Sequence, residues 1–158
     1  MTQTTNKKYP FSKRRIHRME LVSLIYTYEL FDSKINTNEI FASYNLSSEQ
    51  ITILEAIEKK YEILQKLIIN FIGQNWTWTR ILPLIRSILL LGTWELLITD
   101  NKIVIDEMVS MTKDYTLEND NEYKFVNAVL DKINQFYEDE NLKAYKKTIK
   151  NPKTLKEV

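Results

Sequence analysis

The sequence predicts an all-α fold, a compact helical bundle of about six to seven helices, on three observations. Only two glycines and three prolines occur in 158 residues, too few for a turn-rich β architecture. Apolar residues recur at helical spacing in one segment after another. Good N-capping residues stand where two of those segments begin. A composition of 44% hydrophobic and 27% charged residues suits a globular chain with a real core. The expected organisation is a basic flexible arm over 1–11, a single helical domain over 12–140 and a lysine-rich tail over 141–158.

Ser12 is a suitable N-cap for a first helix running to about Phe31. Its stripe is Met19, Val22, Ile25, Tyr26 and Leu30. A polar linker, DSKINTN, leads to a short helix around Glu39–Tyr44. Ser47-Ser48-Glu49-Gln50 resembles a capping box and opens a long helix. Ile51, Leu54, Ile57, Tyr61, Leu64, Ile68 and Phe71 hold the helical period up to Gly73, a natural C-cap.

GQNWTWTRILP is a connection, and Pro83 is tolerated only in the first turn of the next helix. That helix carries Leu84, Ile85, Ile88, Leu89, Leu91 and Trp94 and ends near Thr99-Asp100-Asn101. Another covers about Ile105–Tyr115, and the polar loop TLENDN comes after it. The segment KFVNAVLDKI at 124–133 then starts a helix reaching about Glu138. It sets Phe125, Val126, Val129, Leu130 and Ile133 on one stripe and leaves Lys124, Asn127, Asp131 and Lys132 largely off it. The tail from Asn141 is expected to fray.

Several function classes are excluded or disfavoured. Cysteine is absent, which removes disulfides and thiolate metal sites. The most apolar run, ILPLIRSILLLGTWELLI at 81–98, contains Arg86 and Glu95. Each would cost about 2.5–3.5 kcal/mol at the centre of a membrane span, so a buried bundle helix is the better reading. The first eighteen residues show no apolar signal region, and a cytoplasmic protein is expected. His17, the only histidine, sits among arginines, a poor place for a general base or metal ligand. Glu95 reads best as a hydrogen-bonded buried acid that orients helices. Nothing brings together a nucleophile, a base and an oxyanion site. The expectation is no enzyme, no metal, no cofactor and no small-molecule substrate.

Charge is unevenly placed. Residues 1–18 carry six cations and no acid, 143–158 carry six lysines against Glu157, and 19–142 hold 10 basic and 20 acidic residues. Lys13, Arg14, Arg15 and Arg18 crowd the start of the first helix, where cations oppose the macrodipole at roughly 0.3–1 kcal/mol apiece. Either an anion docks there or the cations form a solvated arm screened by salt. Tyr9 and Phe11 beside the basic run could stack on bases or simply be idle aromatics.

Four segments occur in a telling order: RxxxxxLVSLIYTYEL at 15–30, NWTWTRILPLIRSILLLGTWEL at 75–96, KIVIDEMVSMTKDY at 102–115 and KFVNAVLDKI at 124–133. Together they resemble the NusB family of bacterial transcription antitermination factors. The resemblance implies two packed three-helix halves, about 12–73 and 79–138, without enzymatic activity. It implies binding of boxA-type RNA in ribosomal RNA leader transcripts, jointly with the ribosomal protein NusE, within an antitermination complex on RNA polymerase. The family's basic helix start matches Arg14, Arg15 and Arg18, with Lys13 beside them and Lys124 at the front of KFVN, as the RNA surface. The NusE surface maps onto Tyr26, Tyr115, Asp120 and Phe125.

The chain departs from the family pattern at Met19, Leu90, Gly92, Thr116 and Ala128, and its loop before Lys124 is longer. That loop bears on the NusE surface more than on the fold. The alternative is a helical protein-interaction module that keeps this fold without an RNA role.

Overall fold

A computed structural model describes residues 12–139 and the helix at 143–150. The described residues form seven α-helices and one turn of 3-10 helix, with no strand among them. The helices are α1 (Lys13–Leu30), α2 (Thr37–Ser43), α3 (Ser48–Phe71), α4 (Pro83–Glu95), α5 (Asn101–Tyr115), α6 (Glu122–Glu138) and α7 (Lys143–Lys150), and the 3-10 turn is Trp78–Arg80.

Local chemistry accounts for most of the boundaries. The Ser12 hydroxyl accepts from the Arg15 amide, and the reciprocal Ser47–Gln50 capping box is present. At the end of α1 the Asp32 amide donates to the Glu29 carbonyl and the Ser33 amide to that of Tyr28. This is a Schellman closure with Asp32 at φ +50°, an angle that aspartate tolerates better than most residues. Gly73 follows the α3 C-cap at φ +88°, where a Cβ would be strained. Pro83 occupies the first turn of α4.

α2 and α6 each start two residues earlier than expected, at Thr37 and Glu122, and three differences are larger. α4 ends at Glu95 rather than near Thr99, passing into turns over 96–98. α5 starts at Asn101 rather than Ile105, because the Asp100 carboxylate accepts from the Lys102 and Ile103 amides and so caps it. Residues 143–150 form α7 where a frayed tail was expected, with Ile149 buried in the core and the Lys146 ammonium 5.9 Å from the Tyr137 ring centre. The arm over 1–11, with Tyr9 and Phe11, lies outside the described residues, as do 140–142 and 151–158.

α4 is the axis of the fold. Every residue from Ile85 to Glu95 is buried, and the helix packs on α1, α3, α5 and α6. It therefore belongs to the α4–α6 set and also closes the α1–α3 set, so one core runs through both. The KFVNAVLDKI stripe enters that core through Val126, Val129, Leu130 and Ile133. No described helix is long and apolar enough to cross a membrane.

Two ion pairs set how α1 lies on α4. Near the start of α1, Arg18 Nε donates to both Glu95 oxygens at 3.0 and 3.1 Å, at the end of α4. Near the end of α1, Glu29 accepts from Arg86 Nε at 2.9 Å, at the start of α4. The pairs are separated by similar rises on the two helices, about 16.5 and 13.5 Å at 1.5 Å per residue. Since the charges are exchanged between the ends, only an antiparallel α1–α4 pairing satisfies both. Sliding one helix by a turn would leave four buried charges unpaired.

Candidate nucleic-acid interface

The cations at the start of α1 divide into two kinds. Lys13 and Arg14 are exposed, and neither forms an ion pair with a described carboxylate. Arg15 and Arg18 turn inward. Arg15 Nε donates to Glu107 at 2.5 Å and its Nη1 to Asp114 at 3.0 Å, both on α5. Arg18 is buried against Glu95, with Glu107 a further contact at 3.9 Å. Much of the cost of placing cations at a helix N-terminus is thus met inside the fold by α4 and α5, without a bound anion.

The electrostatics arise from those contacts. The Arg15 hydrogen bond holds the Glu107 carboxyl below its ordinary value and raises the Arg15 guanidinium. Burial pushes the Glu95 carboxyl up, and the Arg18 contact only partly counters it. Glu95 is thus the hydrogen-bonded, helix-orienting acid that its setting suggested.

A pH prediction comes from Glu107. A carboxyl depressed on folding contributes stability that is present above its unfolded pKa and lost as pH falls through the folded one. Glu107→Gln should therefore cost up to about 1 kcal/mol at neutral pH, as expected for a part-exposed pair. In urea melts across pH, the gap between the two proteins should narrow below 4.5, the ordinary carboxyl value. Glu95 carries the opposite sign, and its upward push comes first from burial, which both proteins share, with the Glu107 charge a smaller contribution that the substitution removes. A gap that stays constant to low pH would show that Glu107 is not held by Arg15.

Arg15 is also one end of a run of contacts. Asp114, its partner, neighbours Lys113, whose ammonium lies 4.8 Å from the centre of the Tyr123 ring. Lys124, in the first turn of α6, lies 5.9 Å from the same ring and faces solvent. Phe125, next in sequence, is half-buried with its ring 5.2 Å from that of Trp76. Trp76 in turn carries the Arg80 guanidinium at 5.3 Å. Arg15 thus ties the α1 start to the end of α5, where Lys113 meets the Tyr123 ring that Lys124 also approaches, and a second cluster joins Phe125, Trp76 and Arg80.

The residues expected to meet a protein partner are less tightly grouped. Tyr115, at the end of α5, faces Ser23 of α1, and burial raises its phenol against a smaller downward pull from that hydroxyl. Tyr26 is half-buried one helical turn beyond Ser23. Asp120 is exposed, and its carboxylate accepts the Leu117 amide at 3.0 Å, folding the loop before α6 on itself. Phe125 packs instead toward Trp76 and the core.

Sequence reasoning passed over Trp76, Arg80, Lys113 and Tyr123. The one available signal was the aromatic–basic spacing inside NWTWTR, which read as a plain connection. Glu29, Tyr61 and Arg86 were also missed as a unit. Glu29 accepts from the Tyr61 hydroxyl as well as from Arg86, and the Arg86 guanidinium further reaches the carbonyls of Trp78, Ile81 and Glu29. This cluster is structural. No group of His, Asp or Glu able to hold a metal occurs among the described residues.

Comparison with known proteins places these features in context. A family model described as the NusB family matches residues 17–135. The transcription antitermination protein NusB of Staphylococcus aureus strain JH9 is 31% identical over 128 residues, covering 76% of this chain and 97% of that protein. The protein of the same name from strain Newman matches equally. The solved structure of T. maritima NusB aligns with a TM-score of 0.67 at 22% identity, covering 78% of this chain and 92% of that one. Lys13, Arg14 and Arg15 lie just ahead of the residues that the family model matches.

Proposed function

Because this chain belongs to the NusB family, we propose that it is a non-catalytic, cytoplasmic RNA-binding factor in transcription antitermination. It binds boxA-type RNA of ribosomal RNA leader transcripts together with the ribosomal protein NusE, in the antitermination complex on RNA polymerase. The observation that carries the RNA reading is two sets of exposed cations, Lys13 and Arg14 at the α1 start and Lys113 and Lys124 about the Tyr123 ring. Among the described residues none of these four is paired with a carboxylate. Unpaired cations of one sign gathered on a surface are what counterion release from a phosphate backbone requires. Within the family-derived set, Lys13, Arg14 and Lys124 contact phosphates, and Arg15 and Arg18 hold the α1 start in position. NusE docks on Tyr26, Tyr115 and Asp120, with Phe125 supporting from below.

The internal pairing of Arg15 and Arg18 favours a second reading, a helical protein-interaction module of the same fold with no RNA role. The two are separated by a triple substitution, Lys13→Ala, Arg14→Ala and Lys124→Ala, which leaves every described ion pair intact. Binding to a short boxA-type RNA is measured against salt, with a scrambled RNA alongside and with or without NusE. The RNA reading expects weaker binding and a log–log salt slope shallower by about 2, at about 0.7 per phosphate contact on a single strand. Unchanged affinity and slope, or no binding by the unsubstituted protein while a protein partner is still captured, would favour the interaction module.

A further inference from the structure

Beyond Lys124, Trp76 and Arg80 form a corner that the family-derived residue set does not include. Trp76 leaves 39% of its surface in solvent although it packs beside Phe125. Arg80, from the 3-10 turn, lies over the Trp76 ring, and its Nη1 donates to the Asn75 carbonyl at 2.6 Å. One guanidinium nitrogen is thus tied to the loop, which orients the planar group on the indole. Its other nitrogens keep donor capacity for a ligand.

The surrounding charge favours an anion. Arg80, Lys113 and Lys124 pair with no described carboxylate. The nearest acids in sequence are Asp114, Glu118, Asp120 and Glu122, of which Asp114 is paired with Arg15 and Glu118 is exposed. Asp120 is turned into its own loop by the Leu117 amide, and Glu122 is half-buried in the first turn of α6.

A surface that alternates aromatic rings with unpaired cations has the composition of a single-stranded nucleic-acid platform. Bases stack on rings and guanidinium planes while cations follow the phosphates. A protein-binding hot spot would instead centre on a desolvated apolar pocket, whereas Trp76 is part-exposed with a guanidinium over its ring. We propose that Trp76 and Arg80 form a stacking site for one unpaired nucleotide of an RNA strand whose backbone runs past Lys124 and Lys113. This rests on the RNA-binding reading above and extends its footprint to the α3–α4 connection.

The test uses the full chain and a fluorescein-labelled boxA-type RNA, with anisotropy titrations at several salt concentrations. Three variants are compared: Trp76→Leu, Arg80→Gln, and the double variant Lys13→Ala, Arg14→Ala. Trp76→Leu should weaken binding by about 5- to 150-fold, the range found when a stacked aromatic is removed, and leave the salt slope unchanged. Arg80→Gln should weaken binding and lower the slope by about one contact, an effect that a folding defect does not produce. Thermal unfolding monitors the fold, and should Trp76→Leu prove unstable the slope of Arg80→Gln decides.

If both corner variants bind like the unsubstituted chain while the Lys13, Arg14 variant is weakened, the RNA reading survives and this site is overturned. If the unsubstituted chain binds no RNA, both fall together. Loss of NusE binding with RNA binding intact would also overturn the proposal and make the corner a protein contact.

Discussion

Arg86→Ala is expected to destabilise the protein by about 3–5 kcal/mol, measured as a lower urea midpoint at unchanged slope. Domains of this kind commonly have about 5–15 kcal/mol in total, so the loss is a large share of it. The reason is what would be left behind. Glu29 would remain buried with the Tyr61 hydroxyl still donating to it, and three backbone carbonyls would lose the Arg86 N–H groups. The packing of the guanidinium over Trp78, at 5.6 Å, would also go.

The companion double variant, Glu29→Gln with Arg86→Met, should recover more than half of the loss. It removes both charges, keeps an acceptor for Tyr61 and fills the space of the arginine stem. If the double variant is as unstable as Arg86→Ala, the cost lies in the carbonyl contacts and not in the orphaned carboxylate.

Leu130→Ala should cost about 2–5 kcal/mol, since the side chain is fully buried and the space beside it is already shaped around it. Its neighbour on α4 makes the effect tunable. A Cβ added at Gly92 would sit 3.1 Å from both Leu130 methyl carbons and 3.2 Å from Met108 Cγ. In the unsubstituted protein, Gly92→Ala therefore sets tight contacts against the gain of about 1 kcal/mol in helix propensity. In the Leu130→Ala background two of those three contacts vanish and the new methyl fills part of the cavity. The cycle should show coupling of about 0.5–3 kcal/mol, with Gly92→Ala more favourable in the truncated background. Additivity within error would mean that α4 and α6 do not meet through Leu130.

The helices themselves were readable because their signals are local. Ser12, the Ser47–Gln50 box, Pro83 and the KFVNAVLDKI stripe act within a turn or two of chain, and each stands where it was expected. Where an end was misplaced, a local competitor was overlooked. Asp100 was read as part of a helix end, whereas its carboxylate starts α5 four residues early. Ile149 could not be read as core from a lysine-spaced segment, because its burial depends on where α6 leaves the chain.

The candidate site was legible only as an inventory. Lys13, Arg14, Arg15 and Arg18 form one block in sequence, and nothing in that block says that two of them would be spent on Glu95, Glu107 and Asp114. Those acids lie about eighty to a hundred residues away and reach the arginines only when α1 lies on α4 beside α5. Trp76 and Arg80 likewise gained their setting from Phe125 across the fold.

The sequence by itself determined an all-helical chain, its caps, its core stripes and its likeness to the NusB family, since these rest on spacing and composition. Which cations stay free to meet a phosphate was decided only by the tertiary structure. A charge is neutralised by whatever lies within a few ångströms in space, however distant in the chain, and in this protein α4 and α5 make that choice.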